Sequence, residues 1–237
     1  MLTLMKDSWL STTLQREAFR VVLSSQSTTE DGHEKIANLS KGSFLYSKIS
    51  TDDLQSVRQL ESIGLRIVET ALTFELQEPN IMNEKCGNFF SRHATAADQR
   101  AVAALAEESF TNSRFHKDPE IKSYADQIKR EWAENYFLGK RGDQLVLAES
   151  KGKIVGFLQL LVPDASLLVI DLIAVSHEVR GQGLAKAMIA FACNCGSRYE
   201  KVRVGTQAHN IPSVRLYEGL GFRLVDSAFV LHYHHKT

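Results

Sequence analysis

The chain has 237 residues, of which 43% are hydrophobic and 24% are charged, as is ordinary for a folded globular protein. Lys and Arg together number 28, Asp and Glu also number 28, and the formal net charge is therefore zero. Nucleic-acid-binding chains usually show a basic excess, so this balance argues against such a partner. The sequence contains no membrane span of about 20 apolar residues and no apolar signal-peptide core near its start. We therefore expect a cytoplasmic protein that does not bind membranes.

Cysteine usage agrees with a cytoplasmic location. Cys86, Cys193 and Cys195 are an odd count, which does not suit a disulfide framework. One residue separates Cys193 from Cys195, whereas metal and redox motifs place two residues between their cysteines. We interpret these side chains as reduced thiols.

The first half of the chain is predicted to alternate short strands with one helix. The helix begins after Thr51-Asp52-Asp53, which can cap it, and it ends at Gly64. Alternating apolar residues then predict a strand. In chain order, the predicted elements are strands at 18–24 and 44–49, a helix at 54–63 and a strand at 66–76.

A polar segment at 77–88 separates this half from the rest of the chain. Turn-forming residues cluster there, and the apolar periodicity disappears. We predict an N-terminal α/β domain at 1–80, on the acceptor side, and a second domain at 89–237.

The second half is predicted to be a mixed α/β unit. Its strand at 167–175 is strongly apolar, which predicts burial on both faces. In chain order, the predicted elements are a strand at 89–92, helices at 95–110 and 124–136, a hairpin of strands at 144–149 and 154–161, a strand at 167–175, a helix at 183–195, a strand at 202–207, a helix at 211–220 and strands at 222–225 and 229–233.

Residues 218–227 repeat a pattern that is also present at 61–70. Both segments contain a helix end, a glycine and a strand start, and Gly64 and Gly221 occupy corresponding positions. Two related helix–strand units could lie in one sheet or in paired half-domains. Chance and shared helix-end chemistry are the alternative explanation, because helix–glycine–strand junctions are common.

A glycine-bearing loop between the strand at 167–175 and the next helix is the strongest functional signal. Backbone N–H groups of such a loop, together with a helix N-terminus, attract anions, and glycines let a phosphate approach the backbone. The spacing matches neither a P-loop nor the dinucleotide-binding motif. We predict a pyrophosphate site, and a plain turn before a structural helix is the alternative. The loop and helix start comprise Arg180, Gly181, Gln182, Gly183, Leu184, Ala185 and Lys186.

A second motif opens the predicted helix at 211–220. Asn210 is suited to cap this helix, and Pro212 is suited to its first turn. Ser213 and Tyr217 then share one helix face, because they are four residues apart. Taken alone, Tyr217 is more often a packing residue.

Together the two motifs, Arg-x-x-Gly-x-Ala from Arg180 and Asn-x-x-Ser-x-x-x-Tyr-x-x-x-Gly-Phe from Asn210, resemble the GNAT superfamily of acyl-CoA-dependent N-acyltransferases. The resemblance extends from Phe89 to the region of Tyr233. It implies a mixed α/β fold with a central, mostly antiparallel, splayed sheet flanked by helices, to which the smaller N-terminal α/β domain is added. It also implies acetyl-CoA as the cosubstrate.

The resemblance implies a role for each motif. The loop at 180–186 would hold the coenzyme pyrophosphate, and the backbone of Ile173, Ala174 and Val175 would pair with the pantetheine arm. Asn210 and Ser213 would lie beside that arm. Tyr217 matches the tyrosine that protonates the departing thiolate; its ordinary pKa of about 10 and that of a thiol, about 8.5, make this transfer workable.

The attacking amine must lose a proton, and two carboxylates are candidates for the base. Asp171 lies on the apolar strand in alternation with Ile173 and Val175, and a hydrogen-bonded structural role is its alternative. A second resemblance, carried by 60–69 and 109–115, is to bacterial acetyltransferases of TDP-linked 4-amino-4,6-dideoxygalactose. It implies that Glu69 lies near the amine.

The same resemblance implies an acceptor loop that contains Arg114 and Phe115. An arginine suits phosphate pairing, and an aromatic ring suits stacking on a base or sugar. A surface glutamate at Glu69 and an ordinary loop arginine at Arg114 are the alternatives.

The C-terminal segment contains His232, His234 and His235. On a strand, His232 and His234 share one face and could bind a metal together. No carboxylate or cysteine completes the set nearby in the sequence, so we assign no metal.

We therefore expect an acetyl-CoA-dependent N-acetyltransferase that acts on the amine of a nucleotide-linked amino sugar, with a homodimer compatible with the family. One alternative is the same transfer to a peptide N-terminus, a polyamine or an antibiotic amine. Another is a non-catalytic CoA-binding sensor, in which replacement of Tyr217 would change nothing measurable.

Overall fold

A ten-stranded sheet runs through the part of the chain that the computed structural model describes, residues 2–24, 29–79, 81, 89–194 and 199–236. The strands are β1 (Leu2–Lys6), β2 (Ala18–Leu23), β3 (Phe44–Ser50), β4 (Arg66–Gln77), β5 (Phe90–His93), β6 (Gln144–Ser150), β7 (Lys153–Asp164), β8 (Leu167–Val175), β9 (Lys201–Gln207) and β10 (Arg223–His234). The helices are α1 (Ser8–Leu14), α2 (Thr29–Ala37), α3 (Leu54–Ser62), α4 (Gln99–Ser109), α5 (Arg114–Lys117), α6 (Ala125–Phe137), α7 (Leu184–Asn194) and α8 (Ile211–Gly219).

The strand order is β1-β2-β3-β10-β4-β9-β8-β7-β6-β5. The pairs β2–β3 and β8–β9 are parallel, and the other neighbouring pairs are antiparallel. Helices pack against both faces: apolar side chains of α7 and α8 cover one face, and those of α4 and α6 cover the other. The predicted mixed α/β fold with a mostly antiparallel sheet is confirmed. No helix in the described ranges is long and apolar enough to cross a membrane.

The last strand lies in the middle of the sheet. β10 pairs with β3 on one side and with β4 on the other, so the two predicted domains share one continuous sheet. The division at 1–80 and 89–237 stays a prediction. Most of the predicted boundary, with Cys86, lies outside the described residues, as does Cys195.

The repeated helix–glycine–strand pattern lies in one sheet, which was one of the two arrangements predicted. The units α3–β4 and α8–β10 place their strands side by side and antiparallel. Gly64 has φ +103° and Gly221 has φ +87°, so both junctions use a left-handed backbone that favours glycine. The likeness extends further: apart from α1, which lies between β1 and β2, the series β1-β2-α2-β3-α3-β4 and β7-β8-α7-β9-α8-β10 have the same order of strands and α-helices.

Two predictions about strands are wrong. The strands expected at 222–225 and 229–233 form the single strand β10, because its pairing with β4 continues from Arg223 to His232 across a register shift at Leu224/Asp226 and another at Val230/Leu231. β8 is not buried on both faces: its residues alternate between buried and half-buried. The half-buried set includes Asp171, Ile173 and Val175.

Three short elements near the N-terminus were not predicted: β1, α1 and α2. Asp7 caps α1, because its Oδ1 accepts a hydrogen bond from the backbone N–H of Leu10 at 2.9 Å. Apolar residues from α2, α3 and the first three strands then form a separate core cluster, which includes Ile36, Leu45 and Leu60.

Candidate active site

β8 and β9 are neighbours in the interior of the sheet, and they separate toward their carboxyl ends. Their parallel pairing runs from Leu167–Lys201 to Ile170–Val204 and stops there. Beyond that point β8 stays paired with β7 as far as Val175, and β9 stays paired with β4 as far as Gln207. Residues 171–175 therefore present a backbone edge to a gap between two strands, as expected for the splayed sheet. Ile173, Ala174 and Val175 lie on this edge.

The glycine-bearing loop lies at the end of β8 and leads directly into α7. Gly181 has φ +77° and Gly183 has φ +82°, so both occupy the left-handed region. A Cβ atom at Gly181 would meet no heavy atom within 4 Å, so the space above this backbone is open. Leu184, 2% exposed, anchors the first turn of α7. An open backbone surface beside a helix N-terminus fits a diphosphate.

Arg180 fastens this loop to two other elements. Its Nε donates to the carbonyl of Val175 at 3.0 Å, and its Nη2 donates to the carbonyl of Ser109 at 3.2 Å. The side chain thus ties the loop to the end of β8 and to the end of α4. Direct contact of Arg180 with a phosphate stays a prediction.

Asn210 and Ser213 form the start of α8 on the β9 side of the gap. The Asn210 Oδ1 accepts a hydrogen bond from the Ser213 backbone N–H at 3.4 Å, and its Nδ2 donates to Thr206 Oγ1 at 3.3 Å. Asn210 therefore caps α8, as predicted, and joins it to the end of β9.

Tyr217 is a residue of α8 and lies on the buried side of this helix. It is 2% exposed, and its ring packs against Phe74 and Phe222 with centroid distances of 6.0 Å and 5.7 Å. Burial raises the pKa of its hydroxyl well above the ordinary value. Tyr217 therefore carries its proton at neutral pH, and burial makes its hydroxyl a weaker acid than that of an exposed tyrosine.

Asp171 is held by several donors at once. Its Oδ2 accepts from Trp132 Nε1 at 2.9 Å, from Arg141 Nε at 2.8 Å and from Gln159 Nε2 at 3.2 Å. Its Oδ1 accepts from Arg141 Nη2 at 2.5 Å. These donors occupy both carboxylate oxygens and fix the side chain in place, which leaves little room for an acceptor amine to reach them. This arrangement favours the structural alternative for Asp171.

The carboxylate of Glu69 differs from that of Asp171 in its hydrogen bonding. It lies on β4 next to Thr70, whose carbonyl accepts from the Ala208 N–H just beyond the end of β9. Its Oε2 atom is buried and has no hydrogen-bond partner among the described residues. Burial raises the pKa of Glu69, although nearby cations, Arg114 first among them, partly oppose the shift. Glu69 is therefore a partly desolvated carboxylate with a free oxygen.

The chain after α4 forms a loop that is tied to the β9–α8 turn. His209 Nε2 lies 3.1 Å from the Asn112 carbonyl, and Lys117 Nζ lies 3.0 Å from His209 Nδ1. Residues 112–117 are thereby held beside the carboxyl end of β9, where Glu69 also lies. That this loop contacts the acceptor stays a prediction.

Arg114 and Phe115 are both part of this loop, but they differ in exposure. The Arg114 guanidinium lies 4.6 Å from the ring centroid of Tyr46 and 4.5 Å from that of Phe115. Phe115 is 1% exposed and packs in a core cluster with α1 and α6. Its ring supports Arg114, which leaves little surface for stacking on a ligand.

A carboxylate, that of Asp118, lies beside two of the C-terminal histidines. Asp118 Oδ2 lies 2.6 Å from His232 Nδ1 and 2.8 Å from His234 Nε2, so the expectation that no carboxylate joins them is wrong. The three residues bring their ligand atoms within 4.8 Å of one another. Two imidazole N–H groups satisfy the carboxylate, and Arg114 Nη1 lies 3.4 Å from His232 Nε2. A cation at that distance disfavours a metal and makes the cluster a support for Arg114.

Residues 100–222, more than half of the chain, match the model of the acetyltransferase (GNAT) family. The chain belongs to the GNAT acetyltransferase family. It is therefore an acetyltransferase, and this family generally uses acetyl-CoA.

Relatives of this GNAT protein match along nearly its whole length. The spore coat polysaccharide biosynthesis protein SpsD of Bacillus subtilis is 27% identical over 240 residues, which cover 97% of this chain and 82% of that protein. A GCN5-related N-acetyltransferase from Sphaerobacter thermophilus is 15% identical with a TM-score of 0.65, covering 100% of this chain and 76% of that one. A tandem GNAT protein from the clavulanic acid biosynthesis pathway is 13% identical with a TM-score of 0.62, covering 93% and 76%. The two structures show a shared fold.

One charged residue near the GNAT cleft was missed by the sequence reasoning. Lys129, on α6, is 7% exposed, and its Nζ lies 4.8 Å from the Phe110 ring centroid and 4.7 Å from that of Trp132. Its signal in the sequence was weak: Lys129 adjoins Ile128 on the apolar stripe of α6, where a lysine is expected to reach solvent.

Proposed function

We propose that this GNAT protein transfers the acetyl group of acetyl-CoA to the amine of a TDP-linked amino-dideoxy sugar. The observation that carries the proposal is the free, buried oxygen of Glu69 beside the end of the β8–β9 opening. The opening accommodates a thioester arm, and Glu69 can receive the proton of the acceptor. The polysaccharide-biosynthesis name of the relative SpsD supports a sugar acceptor.

On this proposal, the coenzyme is held by backbone more than by side chains. N–H groups of 180–186 bind the diphosphate, and the unpaired edge of Ile173, Ala174 and Val175 hydrogen-bonds the pantetheine arm. Asn210 and Ser213 fix the opposite side of the gap. Acetyl-CoA, when bound, supplies the acetyl group as a reactive thioester.

Two side chains would move protons. Glu69 accepts a proton from the acceptor ammonium, because its raised pKa makes it a better base than an exposed glutamate. Tyr217 holds a proton at its hydroxyl oxygen for the departing sulfur. Asp171 holds Trp132 and Arg141 in place and takes no part in proton transfer.

The test is a thiol-release assay with acetyl-CoA and a matched panel of acceptors. The panel contains TDP-4-amino-4,6-dideoxy sugars, the same TDP sugars with a hydroxyl in place of the amine, free amino sugars, spermidine, an aminoglycoside and a short peptide. We expect the highest kcat/KM with a TDP-amino sugar and none with its hydroxyl counterpart. Faster transfer to spermidine, aminoglycoside or peptide would refute the sugar assignment. Coenzyme binding without thiol release for any amine would indicate the sensor.

A further inference from the structure

Two cations lie inside the acceptor region without an acidic partner. Within the described chain, no carboxylate lies within ion-pair distance of Arg114 or of Lys129. Arg114 lies between the rings of Tyr46 and Phe115, and Lys129 lies over Phe110 and Trp132. Contacts with aromatic rings do not neutralise these two cations, so their N–H groups can still donate hydrogen bonds to an anion.

The two cations and Glu69 belong to one neighbourhood. Arg114 and Lys129 both lower the pKa of Glu69, and Arg114 also lowers the pKa of Lys129 by repulsion. Burial is the largest cause of the lowered pKa of Lys129, about 8, which leaves the ammonium mostly charged at neutral pH. A group that contacts Glu69 is therefore close to both cations.

The other nearby carboxylates are already engaged. Asp171 is bound by Arg141, and Asp118 accepts from His232 and His234. Asp7 accepts from the Tyr46 hydroxyl at 2.8 Å and caps α1. Hydrogen bonds from neutral donors do not cancel the charges of Asp7 and Asp118, and both carboxylates act on Arg114 from a distance, as Glu69 does. In the described chain, however, none of the three forms a direct ion pair with Arg114 or Lys129.

Burying a cation without a direct ion pair is costly, and a ligand that supplies the counter-charge at contact distance offsets that cost. We propose that Arg114 and Lys129 form an anion site beside Glu69, and that this site binds a phosphate or diphosphate carried by the same acceptor whose amine reaches Glu69. The inference rests on the proposed function and adds how the acceptor is selected. The planar Arg114 fork suits bidentate phosphate binding.

His232 has a positioning role in this site. Asp118 accepts from His232 Nδ1, so the ring presents Nε2 as an acceptor toward Arg114 Nη1 at 3.4 Å. Strand β10 thereby orients a guanidinium of the acceptor loop. Arg114 and Lys129 at this position disfavour a polyamine or an aminoglycoside that would place its own ammonium group there, which separates these acceptors from a phosphate-bearing sugar.

The test uses thymidine diphosphate and inorganic pyrophosphate as probes, titrated by calorimetry into protein saturated with CoA. Saturation is essential, because the loop at 180–186 would otherwise bind either probe. We expect thymidine diphosphate to bind at least about tenfold more tightly than thymidine, since charged hydrogen bonds are gained. Equal affinity of the two, or succinate binding as tightly as pyrophosphate, would overturn the phosphate site.

Three variants locate the site. Lys129→Met keeps the apolar stem, and Arg114→Gln removes the fork; each should weaken thymidine diphosphate binding by at least about tenfold. Arg130→Gln is the matched control, because Arg130 is the next residue on α6 and pairs at the surface with Glu107 and Glu134. Unchanged CoA affinity shows that each variant is folded. Lys129→Met binding the probe as tightly as Arg130→Gln would contradict the proposal.

Failure of the anion site and failure of the proposed function have different signatures. If thymidine diphosphate binds through Arg114 and Lys129 but no TDP-amino sugar is acetylated, the anion site stands and the sugar reaction is wrong. If a TDP-amino sugar is acetylated with unchanged KM in Lys129→Met and Arg114→Gln, the reaction stands and the anion site is wrong.

Discussion

The two halves of the sheet follow the same plan but end differently. In the first half, the parallel pairing of β2 and β3 runs from Ala18–Phe44 to Arg20–Tyr46 and stops. β2 then stays paired with β1, and β3 stays paired with β10, so these strands also part. This is the arrangement of β8 and β9 in the second half.

Side chains fill the first opening and leave the second one free. Between β2 and β3, the Ser47 hydroxyl donates to the Val21 carbonyl at 2.9 Å, and Ser47 is 0% exposed. In α2, a Cβ at Gly32 would lie 3.0 Å from Ile63, whereas one at Gly181 would meet nothing within 4 Å. Separated strands alone therefore do not make a coenzyme site. The open glycine loop distinguishes the second half.

The largest expected effect comes from filling the open loop. Gly183→Trp should weaken acetyl-CoA binding at least about 100-fold, because a bulky side chain at positive φ both strains and obstructs the backbone. Isothermal titration calorimetry measures the affinity. The control is Gly32→Ala in the first half, which should lower the melting temperature through its contact with Ile63 but leave coenzyme affinity unchanged. Normal affinity in Gly183→Trp would show that the loop does not hold the diphosphate.

The next effect separates the free carboxylate from an engaged one on the same strand. Glu69→Gln should lower kcat/KM by about 100-fold or more while acetyl-CoA affinity stays the same, because only the base is lost. Glu75→Gln is the control, since Glu75 is paired with Arg203 at 2.6 Å; it should reduce stability more than turnover. Equal turnover of the two variants would exclude Glu69 as the base.

The pH profile gives a further check on Glu69. The pKa of Glu69 is raised from its ordinary value by burial, and the residue must be deprotonated to accept a proton. Turnover of the wild type should therefore fall as pH decreases through that raised pKa. This acidic limb should be lost from the residual activity of Glu69→Gln, and an identical limb in the variant would assign it to another group.

A smaller effect is expected from removing one hydroxyl. Tyr217→Phe should lower turnover about tenfold with little change in coenzyme affinity, as expected for loss of a proton donor. Tyr199→Phe is the matched control: Tyr199 is also buried, and its hydroxyl accepts from Gln144 at 3.0 Å. Turnover in Tyr217→Phe equal to that of Tyr199→Phe would leave Tyr217 a packing residue.

The smallest expected effect concerns Ser47, whose side chain bridges the separated ends of β2 and β3. Ser47→Ala should destabilise the fold by about 1 kcal/mol, the usual net value of one hydrogen bond, and should leave acetyl transfer unchanged. Urea unfolding and the thiol-release assay measure these two quantities. Binding of a second coenzyme by the variant would mean that both halves can serve as coenzyme sites.

Local motifs were enough to predict much of the cleft. The glycine loop and the Asn210 cap depend on neighbouring residues, and both are visible in the sequence. The splayed end of β8 was expected only from the family resemblance. The predictions that failed concern contacts between residues that are far apart in the chain. The two strands predicted at 222–225 and 229–233 are one strand, because pairing with β4 continues through the residues between them.

The same limit applies to the candidate site. Asp118 is far from His232 in the chain, and Arg141 is far from Asp171, so neither pair could be predicted from spacing. Lys129 resembles a surface residue until the fold covers it with Phe110 and Trp132. Buried charges become visible only when the elements that enclose them are known.

A crystal structure of the protein with acetyl-CoA would test the central claim most directly. It should show one coenzyme per chain, with the diphosphate on the backbone of 180–183 and the pantetheine arm along Ile173–Val175. Electron density for the arm between β2 and β3, or for the diphosphate away from the loop, would contradict the account.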